Sequence, residues 1–286
     1  MAEKDTKQRV QVRHVCLGDG IPKICIPLTG QNQAEVLDNA KAAKEAGADL
    51  AEFRVDYLQN LFLAGQKDGY TGAELEKAAE PFTETERCSS RSLNRELLGA
   101  LLAELRKILS EMPLLFTFRT ASEGGEQKAS LPLYMELNRF AIESGKIDLL
   151  DVEWMQGKEV SDVLIQEAKK CGVKVILSNH DFAKTPSSDE IRARIRCMQA
   201  RGADLAKMAV MPQTKADVLR FMTVTEQLSE ELKCPLISMS MGKLGALSRI
   251  AGGLTGSCLT FGTAGKASAP GQFDAKALRK VLEMLQ

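Results

Sequence analysis

Short runs of Val, Ile, Leu and Phe alternate along the chain with longer segments whose apolar residues recur every three to four positions. The short runs predict buried strands and the longer segments predict amphipathic helices. Strands are predicted at 23–28, 49–55, 114–119, 148–153, 173–178, 204–210, 235–240 and 257–262. Helices are predicted at 32–46, 93–111, 133–144, 158–171, 187–200, 215–232, 246–252 and 275–285.

Regular alternation of strand and helix predicts an α/β fold with a parallel sheet, and eight such units match a closed (β/α)₈ TIM barrel. Gly47, Gly145, Gly172 and Gly202 directly precede strands or stand one or two residues before them, where a helix end favours a residue that tolerates positive φ. An open doubly wound sheet is the alternative, but no G-x-G-x-x-G motif follows the first strand.

Two segments lie outside this repeat. Residues 10–17 alternate apolar and polar positions, which predicts a short N-terminal β hairpin that closes the barrel floor. The connection at 57–112 is much longer than the others and has a polar stretch at 83–91, so we interpret it as extra helix and mobile loop. We expect residues 1–286 to form one barrel domain that includes both segments.

Composition excludes several classes of partner. Lys plus Arg equals Asp plus Glu at 38 each, and the chain has one Trp and three Tyr, so neither a basic field nor a stacking surface for nucleic acid is expected. Seven cysteines form no CxxC pair, and the first residues contain no apolar run typical of a secretory signal. The longest uncharged stretch, 250–265, is interrupted by glycines and is too short to span a membrane. The sequence therefore predicts a reduced, cytoplasmic protein that binds neither membrane nor nucleic acid.

Lys207 is the first candidate for chemistry because it interrupts an apolar run that is predicted to be a strand. A buried lysine more readily becomes the neutral amine that attacks a carbonyl to form a Schiff base. His180, one of two histidines, follows the preceding apolar run. Each residue also has a simpler interpretation: a lysine that extends its amine to solvent, and a histidine that only completes hydrogen bonds.

Other polar residues accompany the predicted strand ends, where the active sites of such barrels lie. Glu52 and Arg54 share one strand face, Arg119 ends the third strand, and Glu123 follows four residues later. Asp151 and Glu153 share a face of the fourth strand, for which we favour a structural ion pair with an arginine. Together these groups predict a polar pocket that attracts an anion.

On these residues the chain resembles the type I 3-dehydroquinate dehydratases. The matching segments run in family order over nearly all of the chain after residue 20: Glu52-Phe53-Arg54-Val55-Asp56, Phe116-Thr117-Phe118-Arg119 with Glu123-Gly124-Gly125-Glu126-Gln127, Ser178-Asn179-His180-Asp181-Phe182, Lys207-Met208-Ala209-Val210-Met211-Pro212, Met239-Ser240-Met241 with Ser248-Arg249, and Ala267-Ser268-Ala269-Pro270-Gly271-Gln272. Pro27 departs from the serine that some relatives have at the end of the first strand.

The resemblance implies a lyase of aromatic amino acid biosynthesis, the shikimate pathway, that converts 3-dehydroquinate to 3-dehydroshikimate. It implies a homodimer and no metal or organic cofactor. Lys207 takes the position of the Schiff-base lysine, His180 that of the general acid/base, and Glu123 that of the carboxylate that orients the histidine. The implied substrate-binding residues are Glu52, Arg54 and Arg119 near the hydroxyls, Arg249 at the carboxylate, Ser268 and Gln272 in a lid, and Phe182, Met239, Met241 and Phe261 in the apolar wall.

Three alternatives stay open at this point. The lid segment at 266–272 has the composition of an ordinary turn. A class I aldolase would also use a Schiff base, with Gly262-Thr263-Ala264-Gly265-Lys266 as a faint phosphate-binding candidate. A barrel without activity would serve as a scaffold and use the long connection as its contact surface.

Overall fold

Strands and helices alternate through residues 9–64, 91–265, 269 and 271–286, which are the part of the chain that this computed structural model describes. The strands are β1 Val10–Val12, β2 Val15–Leu17, β3 Lys23–Leu28, β4 Leu50–Arg54, β5 Phe62–Ala64, β6 Arg91–Leu93, β7 Leu114–Thr117, β8 Leu149–Glu153, β9 Lys174–Asp181, β10 Leu205–Val210, β11 Leu236–Ser240, β12 Leu259–Thr263 and β13 Phe273–Asp274. The α-helices are α1 Gln33–Glu45, α2 Arg95–Leu109, α3 Leu131–Glu143, α4 Lys158–Lys170, α5 Ser188–Ala200, α6 Lys215–Glu231, α7 Ala246–Ile250, α8 Gly252–Thr255 and α9 Ala275–Met284.

The main sheet is parallel and closes on itself. Its strand order is β11, β10, β9, β8, β7, β4, β3, β12 and β13. Between β11 and β12, Leu236 and Ser257 form a parallel bridge, and the backbone N–H of Cys258 donates to the carbonyl of Leu236 at 2.8 Å. These contacts join the two sides of the sheet, so β3, β4 and β7 to β12 form the (β/α)₈ barrel that the sequence predicts.

Local sequence explains why the helices begin where they do. The Ser187 hydroxyl accepts from the backbone N–H of Glu190, and the Glu190 side chain accepts from the N–H of Ser187, so α5 starts with a capping box. Thr214 and Asp217 start α6 in the same way. Gly47, which follows α1, has φ +74 and so takes the left-handed conformation for which glycine is suited.

The N-terminal hairpin closes the floor of the barrel. Strands β1 and β2 pair antiparallel, and their residues Val10, Val12, Val15 and Leu17 are buried. They pack in one apolar cluster with the inward side chains of the barrel strands, including Leu50 and Leu115, and the same cluster reaches Phe261. The barrel interior is therefore filled from below by apolar side chains, which leaves only its upper end for a pocket.

Three aspartates fix the strands at this lower end. Asp49, Asp148 and Asp204 each stand directly before a strand, and each side chain accepts the backbone N–H of a residue on the preceding barrel strand at 2.7 to 2.9 Å. The backbone N–H of each aspartate donates to the carbonyl of that same residue. The paired residues are Ile24, Leu114 and Val175, respectively. We call these contacts the aspartate clamps, and they set the register of β3 with β4, β7 with β8, and β9 with β10.

The structure differs from the sequence prediction in details of extent. Strand β9 continues to Asp181, so His180 lies within the strand, whereas β7 ends at Thr117 and Arg119 follows it. The predicted helix at 246–252 is two short helices, α7 and α8. Within the long connection, β5 and β6 form an unpredicted antiparallel pair. Helix α2 occupies the end of that connection, as the sequence predicts. Residues 65–90, which include the polar stretch up to residue 90, lie outside the described residues.

Candidate active site

A cavity of about 220 Å³ opens at the carboxyl ends of the barrel strands. Its lining includes every predicted site residue that the structure describes: Lys207, His180, Glu123, Glu52, Arg54, Arg119, Arg249, Gln272, Phe182, Met239, Met241 and Phe261. Ser268 lies outside the described residues, but its neighbour Ala269 lines the cavity together with Gln272. Parallel strands that end at the same edge of the barrel bring these distant residues together.

Lys207 lies on β10 and points into this cavity. Its side chain is only 4% exposed, which excludes the alternative that the amine extends into solvent. The Nζ atom lies 2.9 Å from Asp151 Oδ2 and 3.9 Å from Glu52 Oε1. It also stands 4.7 Å from the centre of the Phe261 ring. The amine is thus held in one place beside an apolar wall, as a nucleophile for a bound carbonyl must be.

His180 is held by Glu123 through two contacts to the same oxygen. Glu123 Oε2 accepts the backbone N–H of His180 at 2.9 Å and lies 2.9 Å from the imidazole Nδ1. Because this oxygen already acts as an acceptor, it favours the tautomer in which Nδ1 carries the hydrogen. The other nitrogen, Nε2, then keeps a lone pair that can take a proton.

Burial and charge act on both members of this pair. Burial, together with the cations Arg119 and Lys207, holds the pKa of His180 well below its ordinary value, so the imidazole is neutral at neutral pH. Burial raises the pKa of Glu123 to about 8, an effect that Arg119 opposes and Glu153 reinforces. A neutral imidazole with an oriented tautomer is the form needed in a general base.

Arg119 links the cavity to buried polar side chains on β8 and β9. Its guanidinium donates to Asp151 at 2.7 Å and to Glu153 at 3.0 Å, and it also donates to the Ser178 hydroxyl. Burial alone would lower the pKa of Arg119, but the two carboxylates raise it well above its ordinary value. The expected ion pair of Asp151 and Glu153 with an arginine is therefore present, and Asp151 also binds Lys207.

Arg54 is held by a bidentate contact to Asp56. Its Nε and Nη2 atoms donate to the two carboxylate oxygens at 2.8 and 2.7 Å, and its guanidinium lies 5.0 Å from the centre of the Tyr57 ring. Asp56 also accepts the backbone N–H of Glu126. These contacts tie the end of β4 to the loop that carries Glu123, so the strand and this loop keep a fixed relation.

Arg249 and the apolar residues form the other side of the cavity. Arg249 is 1% exposed, and burial lowers the pKa of its guanidinium to about 10, which leaves it charged at neutral pH. Its Nη1 atom lies 3.9 Å from the sulfur of Met239. Phe182 is 42% exposed at the cavity mouth, whereas Phe261 is buried. A buried cation beside an apolar wall suits a ring that carries a carboxylate.

The sequence prediction missed several residues of the site. Tyr57 and Glu126 line the cavity. Asp151 was expected only in a structural ion pair, and its contact with the amine of Lys207 was not predicted. Tyr57 directly follows the quoted motif that ends at Asp56, and Glu126 lies within the quoted motif 123–127, although neither was assigned a role. Pro27 lies apart from this group, because it lines a neighbouring cavity. No helix among the described residues has both the length and the apolar character required to cross a bilayer.

Comparison with known proteins places this site in a family. A family model described as type I 3-dehydroquinase matches residues 24–286. The chain is 43% identical over 279 residues to a 3-dehydroquinate dehydratase from Listeria innocua, and the match spans 97% of this chain and 98% of the relative. It is 40% identical over 280 residues to a 3-dehydroquinate dehydratase from Clostridioides difficile, with 98% of both proteins covered.

Solved structures agree with the sequence comparison. The fold is similar to a crystal structure of a type I 3-dehydroquinate dehydratase from Clostridium difficile with covalently modified comenic acid, with a TM-score of 0.84, 40% identity and 98% of each chain covered. It is also similar to a 3-dehydroquinate dehydratase from Geobacillus kaustophilus, with a TM-score of 0.84, 33% identity, and 99% of this chain and 98% of that chain covered.

Proposed function

Since the chain belongs to the type I 3-dehydroquinase family, we propose that it dehydrates 3-dehydroquinate to 3-dehydroshikimate in aromatic biosynthesis through a Schiff base on Lys207. The observation that carries the proposal is the convergence of two groups on one cavity: the buried amine of Lys207 and an imidazole that Glu123 orients. The imidazole has the neutral form that its step requires, and the amine lies at the position that its step requires.

The reaction begins at the amine. Neutral Nζ of Lys207 adds to the ring ketone, and the adduct loses water to give a protonated imine. The positive nitrogen draws electrons from the adjacent carbon, which makes its proton acidic. Neutral His180 takes that proton through Nε2, and the electrons of the broken C–H bond form an enamine.

Elimination and release complete the cycle. The nitrogen lone pair re-forms the C=N bond, and the electrons of the enamine C=C bond form a new double bond to the next ring carbon, whose C–O bond breaks. His180 gives its proton to the departing hydroxyl, so that it leaves as water. A further water molecule then hydrolyses the conjugated imine, which frees the product and restores Lys207. One water is lost overall, as the conversion of 3-dehydroquinate to 3-dehydroshikimate requires.

Binding roles follow from the other cavity residues. Arg249 provides a planar cation for the substrate carboxylate. Arg54 and Glu52, with Arg119 behind them, surround the position of the ring hydroxyls. Phe182, Met239, Met241 and Phe261 pack against the ring, and Gln272 borders the site from the lid segment. By the family resemblance, Ser268, four residues earlier, binds substrate from the same segment. We extend the proposal to a cytoplasmic homodimer without a cofactor, on the family resemblance alone.

A trapping experiment tests substrate and nucleophile together. The protein is incubated with 3-dehydroquinate, treated with borohydride to reduce any imine, and digested for mass mapping. We expect one added mass, on the peptide that contains Lys207, and no labelling of a Lys207→Met variant. Labelling at another lysine, or no labelling while substrate is consumed, would contradict the Schiff base at this position.

The aldolase alternative is less well supported. Its phosphate candidate includes Thr263 and Gly265, which line a second cavity of about 600 Å³, while Lys266 lies outside the described residues. Glu35, Asp38 and Glu126 line the same cavity. Their carboxylates would repel a phosphate dianion. Strong competition by inorganic phosphate against substrate would reverse this judgement.

A further inference from the structure

Asp151 on β8 makes a contact with the catalytic lysine that the reaction outlined above leaves unassigned. The residue is 1% exposed, and its two oxygens have separate partners. Oδ1 accepts from the Arg119 guanidinium at 2.7 Å and from the Ser178 hydroxyl at 2.5 Å. Oδ2 accepts from Lys207 Nζ at 2.9 Å. One oxygen is therefore anchored to the barrel, and the other is directed at the amine.

The strand register produces this arrangement. Glu153 on β8 pairs with Ser178 on β9, and Ser178 in turn pairs with Lys207 on β10. Asp151 lies two residues before Glu153 on the same strand face, so its side chain reaches across β9 toward the lysine. The other carboxylate near the amine, Glu52, lies farther away at 3.9 Å. Asp151 is thus the closest described anion to the nitrogen that would form the imine.

We propose that Asp151 is a positioning residue, which fixes the Lys207 amine through Oδ2 and keeps a permanent negative charge beside its nitrogen throughout the reaction. The inference rests on the proposed Schiff base. The nitrogen is positive as an ammonium and as a protonated imine, and it is neutral as the attacking amine and as the enamine. A fixed anion 2.9 Å away stabilises the two positive forms relative to the neutral ones.

The surroundings keep this charge in place. Although burial opposes ionisation, Arg119 and Lys207 hold the pKa of Asp151 well below its usual range, so the carboxylate is an anion at any pH of interest. It therefore acts as a constant counter-charge and does not accept the lysine proton. The other titratable groups that surround Asp151 and Lys207 are Glu52, Glu123, Glu153, His180 and Cys25.

Asp151→Asn tests the role of the charge, because it keeps the shape and an accepting oxygen. Without the anion the amine loses its proton more readily, so the pH below which kcat/KM falls should move down by about 1 to 3 units. We also expect kcat at its optimum to fall at least about tenfold, since the protonated imine loses its counter-charge. A purely structural role would lower activity without moving the acid limb of the profile.

Glu153→Gln is the matched control. Glu153 is equally buried and also binds Arg119, at 3.0 Å, but no described contact joins it to Lys207. We expect its kcat/KM profile to keep the acid limb of the wild type, whatever its effect on the maximal rate. An unmoved limb in Asp151→Asn, or an equal shift in Glu153→Gln, would overturn the proposal.

A second variant covers the case in which Asp151→Asn does not fold. Ser178→Ala removes the hydrogen bond to Oδ1 and retains the charge, so kcat should fall severalfold while KM and the acid limb stay in place. Wild-type kcat in a folded Ser178→Ala enzyme would then refute the positioning role. Borohydride separates this test from that of the proposed function: failure to label wild-type Lys207 rejects the Schiff base, whereas labelling with an unmoved acid limb rejects only the role of Asp151.

Discussion

Gly125→Ala should disrupt the loop that carries Glu123 through a single added methyl group. Gly125 lies two residues after Glu123, and a Cβ atom built there would stand 1.9 Å from the carbonyl oxygen of Arg119. The carbonyl belongs to the backbone and the backbone fixes the position of a Cβ atom, so no side-chain rotation relieves the contact. They would have to separate by roughly 1.5 Å to reach ordinary van der Waals distance.

The cost appears either as stability or as misplacement of Glu123. Forcing a methyl group into a packed site costs roughly 1–3 kcal/mol. If the loop moves instead, the contact of 2.9 Å between Glu123 Oε2 and His180 Nδ1 exceeds hydrogen-bond distance. A misplacement of about 1 Å at a catalytic group can lower the rate on the order of 10²-fold. We therefore expect kcat to fall on the order of 10²-fold, with a smaller change in KM.

The assay compares kcat, KM and the thermal midpoint of Gly125→Ala with those of Gly99→Ala. Gly99 lies in helix α2, and a Cβ atom there would meet only the tip of the Phe140 ring at 3.4 Å. Because alanine is the better helix former, the control should match or exceed the stability of the wild type and retain its kcat. Wild-type kcat together with an unchanged midpoint in Gly125→Ala would refute the steric reasoning.

Three further substitutions test other parts of the structure. The stability of Glu123→Gln relative to the wild type should increase as pH rises from 4.5 through about 8. The raised pKa of Glu123 stabilises the folded wild type at low pH, and that contribution is lost as the carboxyl ionises. Urea unfolding at pH 5 and pH 9 measures the difference, and a difference that does not depend on pH would contradict the expectation. Arg249→Lys should raise KM at least about tenfold with less change in kcat, because the planar guanidinium that would bind the substrate carboxylate is lost. Steady-state kinetics with 3-dehydroquinate measure both constants, and an unchanged KM would contradict binding of the carboxylate by Arg249. Leu17→Ala should cost about 2–5 kcal/mol of unfolding free energy and leave kcat unaltered, since Leu17 is fully buried in the floor and does not line the cavity. A loss of kcat at full folding would show that the floor acts on the site.

Sequence periodicity was sufficient to predict the barrel. Each strand is a run of apolar residues bounded by polar ones, and strands with both faces covered have this pattern. Lys207 was identifiable because a charged group in an apolar run is costly and therefore informative, and His180 because it ends such a run. Glu123 was identified by its position four residues after Arg119 and by the family resemblance. The closed barrel then brings such residues to one edge.

Contacts between strands were beyond prediction, because they depend on register. Whether Asp151 reaches Lys207 depends on which residue of β9 lies opposite Glu153, and periodicity does not specify that pairing. The antiparallel pair of β5 and β6 depends on residues far apart in sequence, so local propensity could not reveal it. A shorter signal went unused: Gly47-Ala48-Asp49-Leu50 recurs as Gly202-Ala203-Asp204-Leu205, and both segments carry an aspartate clamp.

The aspartate clamps have a consequence for how this barrel tolerates change. They determine strand alignment at the end opposite the cavity, through groups that take no part in the chemistry. Residues at the mouth of the cavity therefore need not set the register of these strands and can be exchanged for catalytic reasons alone. A protein engineer who wished to install another reaction in this barrel could substitute the residues around the cavity and keep the three aspartates of the clamps.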